Sequence, residues 1–80
     1  MREVNLPKWG MGIDEGTVVR WLKGVGDAVE EGEPLVEVET AKALQEVEAP
    51  ANGILQRILV PEGETVEVNT ILAVIDDADS

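Results

Sequence analysis

The sequence predicts an all-β fold: a flattened β-barrel or sandwich of two antiparallel sheets with an internal pseudo-two-fold axis, a barrel-sandwich hybrid. Three observations point there. Short runs rich in valine, leucine and isoleucine follow one another closely, with turn residues between them. Glycine and proline recur along the chain before Val66 and valine is abundant, which argues against helices. The chain also repeats itself at an offset of 37 (53 − 16). Laid over each other, "GTVVRWLKGVGDAVEEGEPLVEVE" from Gly16 and "GILQRILVPEGETVEVNTILAVID" from Gly53 share Gly16/Gly53, Arg20/Arg57, Leu22/Leu59, Gly26/Gly63, Val29/Val66, Glu30/Glu67 and Leu35/Leu72. Val18/Leu55, Trp21/Ile58, Asp27/Glu64, Val38/Ile75 and Glu39/Asp76 keep their chemistry. Two copies are too few for a solenoid and suit two halves about an axis.

The elements follow in order. A first strand is expected near Glu3–Leu6, in "EVNL". "TVVRWLK" and "ILQRILV" open the two copies as strands, on their β-branched and apolar residues. "GVGD" and "PEGE" are turns in which Gly26 and Gly63 supply a positive φ, each followed by a short strand. Gly32 aligns with Asn69, and both types tolerate the left-handed conformation of a tight turn. "PLVEVE" and "TILAVID" close the copies. Between the copies, "LQEVEA" is a strand after the polar knot Thr40–Ala43, and "PANG", ending at Gly53, is a turn joining the halves.

The residue inventory excludes much chemistry. There is no cysteine and no histidine, so disulfides, thiolate sites, the usual zinc ligand and the usual general base near neutral pH are all missing. There is no tyrosine either, and the only serine is Ser80. No catalytic residue and no metal site is expected. The net charge is −11, from 17 acidic and 6 basic residues. It would repel a phosphate backbone or an anionic membrane, so neither nucleic acid nor membrane is an expected partner. No apolar run approaches membrane length, and "MREVNLPKWG" has no apolar leader core. The expectation is a cytoplasmic, monomeric, single domain.

Lys42 is one of only three lysines. It lies in "VEVETAKALQEVEAP", between two runs of apolar/acidic alternation. With Ala41 and Lys42 as the central turn residues, opposed positions sum to 83 (38 + 45), so Val38 faces Gln45, Glu37 faces Glu46 and Val36 faces Val47. Val36, Val38 and Val47 then share the core face. Leu35, Glu37, Glu39, Leu44, Glu46 and Glu48 share the other. Glu37 opposite Glu46 is a repulsive pair. Two uses would justify the acids: solubility with edge protection, or recognition by a partner. The repeat equates Thr40–Ala43 with residues 77–80, so Lys42 should project from the end opposite the C-terminus. Taken alone, a lysine at a hairpin tip is most often a solvated charge. Here Ala41 and Ala43 leave its ammonium unobstructed, which suits an attachment point.

The chain resembles a lipoyl domain of the biotinyl/lipoyl-carrier group over about Val4 to Asp76. The resemblance is carried by "LPKWGMGIDEGTVVRWL", "KGVGDAVEEGEPLVEVETAKA", "EVEAPANGIL" and "VPEGETVEVNTIL". In that family the lysine of an E-[ST]-x-K-A hairpin is lipoylated, a role that falls on Lys42. Glu39, Thr40, Ala41, Ala43 and Glu46 would form the recognition hairpin around it. The x is commonly Asp and is Ala41 here. The biotinyl branch places Met on both sides of its lysine, whereas Ala41 and Ala43 favour lipoate. The glycine-cleavage carrier is longer, with added helices. "PKWGM" followed by "EGTVVRWL" is similar to N-terminal lipoyl domains of the dihydrolipoamide acyltransferases (E2) of 2-oxoacid and acetoin dehydrogenase complexes, leaning towards the acetoin type.

The resemblance implies that residues 1–80 are one domain of a longer E2 chain. Lipoate on Lys42 would be a swinging arm of roughly 12–14 Å. Implied partners are a lipoate-attaching enzyme, a thiamine-diphosphate-dependent E1, the E2 catalytic core and an FAD-dependent dihydrolipoyl dehydrogenase (E3). The domain would present the cofactor rather than catalyse. Two other readings stay open: a biotinyl carrier, and a β-sandwich interaction module with no prosthetic group.

Overall fold

The computed structural model describes residues 1–77 of the chain. Among them are eight strands and no helix: β1 (Arg2–Asn5), β2 (Glu15–Trp21), β3 (Ala28–Val29), β4 (Pro34–Glu39), β5 (Leu44–Glu48), β6 (Gly53–Ile58), β7 (Thr65–Glu67) and β8 (Ile71–Asp76). They form two four-stranded antiparallel sheets, ordered β1-β8-β6-β3 and β5-β4-β2-β7. The largest fully buried side chains are Leu6, Leu35, Leu55, Leu72, Ile75 and four valines, and no polar side chain among the described residues is buried. Each such side chain contributes about 1.5–3 kcal/mol.

The repeat governs the backbone as well as the sequence. β4 and β8 bury equivalent residues: Leu35, Val36 and Val38 in one, Leu72, Ala73 and Ile75 in the other. The β2–β4 ladder sets Val18 opposite Val38, shifts register, then sets Arg20 opposite Glu37. The β6–β8 ladder repeats this with Leu55 opposite Ile75 and Arg57 opposite Val74. The equivalent turns hold Gly26 at φ +97° and Gly63 at +93°, and Gly32 at +87° matches Asn69 at +71°.

The symmetry extends further than the ungapped alignment. Val4 lies opposite Ala73 and Val47 opposite Val36, so β1 is to β8 as β5 is to β4. Glu3-Val4-Asn5-Leu6-Pro7 is therefore the counterpart of Glu46-Val47-Glu48-Ala49-Pro50, at an offset of 43 (46 − 3). The difference from 37 is a six-residue insertion (43 − 37) in the first copy, between Pro7 and Gly16.

Two residues depart from expectation. Leu35, placed by alternation on the outer face, is fully buried. The β4–β5 register shifts between Pro34 and Val36, and such a bulge lets two successive side chains point inward. Gly53 is not a turn residue: it is the first residue of β6 and lacks a positive φ. It is there for close approach. A Cβ at Gly53 would collide with the Asp76 carbonyl oxygen and sit 2.7 Å from Ile75 Cγ2. At its counterpart Gly16, a Cβ would sit 2.5 Å from Val38 Cγ1.

The hairpin and the chain ends have separate neighbours. Asp77 takes the terminal amine at 2.8 Å and Arg2 Nε at 3.3 Å, and Asp76 lies opposite Ile54. The hairpin has Thr17 opposite Glu39 and Met11 beside Lys42. Of residues 77–80, which the repeat equates with the hairpin, only Asp77 lies within the described residues.

Candidate functional site

The β4–β5 hairpin has the register read from its alternation. Val36 lies opposite Val47, Glu37 opposite Glu46, Val38 opposite Gln45 and Glu39 opposite Leu44. Val36, Val38 and Val47 are buried, and Glu39, Glu46 and Glu48 are exposed. Burial of the three valines fixes which face meets water, because a one-residue slip would put the acids inside.

Thr40 closes the turn. Its N–H donates to the Ala43 carbonyl at 2.9 Å, and its hydroxyl donates to the same oxygen at 2.9 Å. The hydroxyl oxygen in turn accepts the N–H groups of Lys42 and Ala43, each at 3.3 Å. Neither Ala41 nor Lys42 has a positive φ, so this is not a primed two-residue turn. The side-chain oxygen supplies the acceptor that such a turn would find in its backbone. The signal was a hydroxyl residue at the first turn position, and the sequence reading did not assign it that role.

Lys42 is exposed at the tip, and its Nζ donates to the Met11 carbonyl at 3.4 Å. Met11 belongs to the six-residue insertion. That loop is anchored by buried Ile13, by Ile13 N–H donating to Gly10 O at 3.3 Å and by Val68 N–H donating to Asp14 O at 3.0 Å. Gly12, at φ +83°, turns the chain so that the Met11 side chain is 87% exposed. The loop exists only in the first copy, at the end that carries Lys42. Nothing in the spacing of the repeat placed it there. A shallow groove of about 320 Å³ runs beside the turn between Thr40 and Ala41 on one side and Glu15 and Thr65 on the other.

The other two lysines differ. Lys23 pairs with Glu33 at 3.1 Å, and Lys8 is exposed on the inserted loop without an ion pair among the described residues. The Glu33 carboxyl is held below its ordinary range, first by the Glu30 N–H and then by Lys23. Arg20 reaches across to Glu37 with Nε at 3.2 Å and Nη2 at 3.3 Å. This two-point contact offsets part of the Glu37–Glu46 repulsion, though an exposed arginine gives such a pair only about 0.2–1 kcal/mol. Among the described residues no acidic cluster could hold a metal ion, and no helix is long and apolar enough to cross a membrane.

Two four-stranded antiparallel sheets about a pseudo-two-fold axis carry an exposed lysine at one hairpin tip. Comparison with known proteins gives the family. The family Biotin_lipoyl, described as biotin-requiring enzyme, matches residues 2–75. The acetyltransferase (dihydrolipoyllysine-residue) component of the pyruvate dehydrogenase complex of Corynebacterium glutamicum is 45% identical over 76 residues, covering 95% of this chain and 11% of that protein. The corresponding component of the acetoin cleaving system of Pseudomonas putida is 39% identical over 77 residues, covering 96% of this chain and 21% of that protein. The solution structure of the lipoyl domain of the 2-oxoglutarate dehydrogenase complex from Azotobacter vinelandii superimposes with a TM-score of 0.71 at 33% identity, covering 92% of this chain and 96% of that one. The chain belongs to the biotin/lipoyl-attachment family and, within it, to the lipoyl domains. It spans between a tenth and about a fifth of the length of those two acyltransferase components.

Proposed function

We propose that Lys42 is the lipoylated residue and that this domain carries acyl groups and electrons within a 2-oxoacid or acetoin dehydrogenase complex. The observation that carries the reading is the hairpin: one exposed lysine, held at a defined point by Thr40 and flanked by two alanines. The residues present suit an amide-linked group. Nζ is open to an attaching enzyme, and its hydrogen bond to the Met11 carbonyl needs only one N–H, which the amide retains. When bound, lipoate supplies a dithiolane that accepts acyl groups and electrons. The chain's own residues fix the root of the arm and keep it clear of the core, with exposed Glu39 and Glu46 on the two strands that lead to the tip. Amide formation removes the Lys42 charge and takes the chain from −11 to −12 (−11 − 1).

Glu39 and Glu46, exposed beside the tip, are the groups a lipoate-attaching enzyme and a thiamine-diphosphate-dependent E1 would read, with Thr40, Ala41 and Ala43 setting the turn. The remaining partners in this reading are the E2 catalytic core and an FAD-dependent E3. The 80 residues act as one monomeric, cytoplasmic domain of a longer E2 chain. Tethering there gives effective concentrations of about millimolar at each active site.

Expression in a host with lipoate- and biotin-attaching enzymes, followed by intact mass and peptide mapping, tests this. A lipoyl increment on Lys42 is expected, lost in Lys42→Arg with the fold unchanged. A biotinyl increment, no increment, or lipoate on Lys8 or Lys23 would refute the assignment.

A further inference from the structure

A groove of about 430 Å³ opens between the outer strands β1 and β5, one from each sheet. Its walls are symmetry counterparts: Glu3 and Val4 answer Glu46 and Val47, Asn5 answers Glu48, and Pro7 answers Pro50. Each strand is paired on one side only, so outward backbone N–H and C=O groups border the groove. Val4 and Val47, at 2% and 4% exposure, join it to the core. Trp9, from the inserted loop, breaks the symmetry and also lines it.

The charge here is uncompensated. Asp77, Glu37 and Glu33 each have a basic partner. Glu3, Glu46 and Glu48 form no ion pair among the described residues, and neither does Lys8, next to Trp9 in the chain. Trp21 donates its indole N–H to the Val60 carbonyl at 2.9 Å. The half-buried Trp9 has no such acceptor among the described residues. The groove thus combines open sheet edges, an apolar floor, unpaired carboxylates and an aromatic ring.

We propose that this groove docks an extended, basic segment of a partner protein. The segment's backbone pairs with the free edge of β1 or β5, its lysine or arginine side chains meet Glu3, Glu46 and Glu48, and one cation lies over Trp9. The charges select a basic occupant. An acidic or phosphorylated segment would be repelled by a chain of net charge −11, and an apolar one would desolvate carboxylates without pairing them. β1 has four residues and β5 five, which fits a segment of about four or five residues at roughly 3.3 Å each. Nothing in this depends on Lys42 or on what it carries.

The test titrates the isotope-labelled 80-residue chain with a synthetic peptide of alternating lysine and valine, followed by amide and indole chemical shifts. A glutamate–valine peptide is the control. Saturable shifts confined to β1, β5 and the Trp9 indole, identified with Trp9→Phe, are expected for the basic peptide alone. Glu46 belongs to both hairpin and groove and is left unchanged. Glu3→Gln with Glu48→Gln should weaken binding about tenfold and leave lipoate attachment at Lys42 intact. The equally charged change Glu15→Gln with Glu67→Gln, at opposed positions of β2 and β7, should leave the affinity nearly unaltered. No saturable shift, shifts spread over the whole acidic surface, or equal weakening by both double variants would overturn the proposal, the last two in favour of non-specific attraction. Unweakened binding in Glu3→Gln with Glu48→Gln would overturn it as well. Absence of lipoate attachment in the unsubstituted chain, with the peptide binding as expected, would fault the reading of the hairpin and not of the groove.

Discussion

Thr40→Val removes the hydroxyl that closes the lysine turn while keeping a β-branched side chain of similar size. Three contacts go: the donation to Ala43 O at 2.9 Å and the two acceptances, from Lys42 and Ala43 N–H, at 3.3 Å each. A hydrogen bond contributes about 0.5–1.5 kcal/mol net, and the two long ones belong at the lower end. The turn faces water, which re-solvates the freed groups. The loss is therefore about 1–2 kcal/mol, a factor of roughly 5–30 in the population of the opened turn. Stability of about 0.05–0.15 kcal/mol per residue gives a domain of this size roughly 4–12 kcal/mol, so the fold survives. Amide hydrogen exchange at Lys42 and Ala43 should accelerate by that factor. Lipoate attachment, followed by intact mass, should slow, because the attaching enzyme meets the lysine in its closed geometry less often. Thr40→Ser keeps the oxygen and should behave as wild type. Unchanged exchange and attachment in Thr40→Val, or a serine variant that behaves like the valine one, would refute the role assigned to the hydroxyl.

Four further outcomes are expected. Moving the lysine, as Ala41→Lys with Lys42→Ala, should abolish attachment although a lysine remains in the turn; equal modification by mass would show that turn geometry is not what is read. Gly53→Ala should destabilise by about 1–3 kcal/mol in urea titrations, because the new methyl meets backbone at Asp76, and Gly16→Ala by less, because its close contact is the Val38 side chain. Glu39→Lys with Glu46→Lys should leave stability within about 0.5 kcal/mol, yet sharply slow reductive acylation of the lipoylated domain by a cognate E1, with wild type slowing as salt is added. The folded-state pKa of Glu33 lies below the ordinary value of 4.5, so its contribution to stability is present above that pH and is lost as pH falls through the folded value. Wild type and Glu33→Gln should therefore differ at neutral pH and converge in acid, as followed by thermal unfolding.

Much of the fold was legible because its signals are local. A two-residue alternation assigns faces, and the three valines of the β4–β5 hairpin give the same register from sequence as from structure. The 37-residue repeat places Gly26 with Gly63 and Gly32 with Asn69, and each pair has the positive φ its residue types allow. Lys42 at the tip, between two alanines, is likewise a property of one short run of chain.

What the tertiary structure decided lies where strands cross or chain segments meet through space. Alternation assumes an unbroken ladder, so it put Leu35 outside; the bulge after Pro34 put it in the core. Asn-Gly reads as a turn and assigns Gly53 a need for conformational freedom; the backbone of Asp76 pressing on it is a distance, and no local pattern encodes it. The six-residue insertion hid the equivalence of β1 and β5 from an ungapped comparison and brought Met11 to Lys42 and Trp9 to the groove between the sheet edges. Sequence alone could set the face of each strand and the position of the lysine, because both depend on neighbours in the chain. Which edges stay open, and what approaches the lysine, depend on how the two sheets pack, and that is set by the summed burial of residues far apart in the chain.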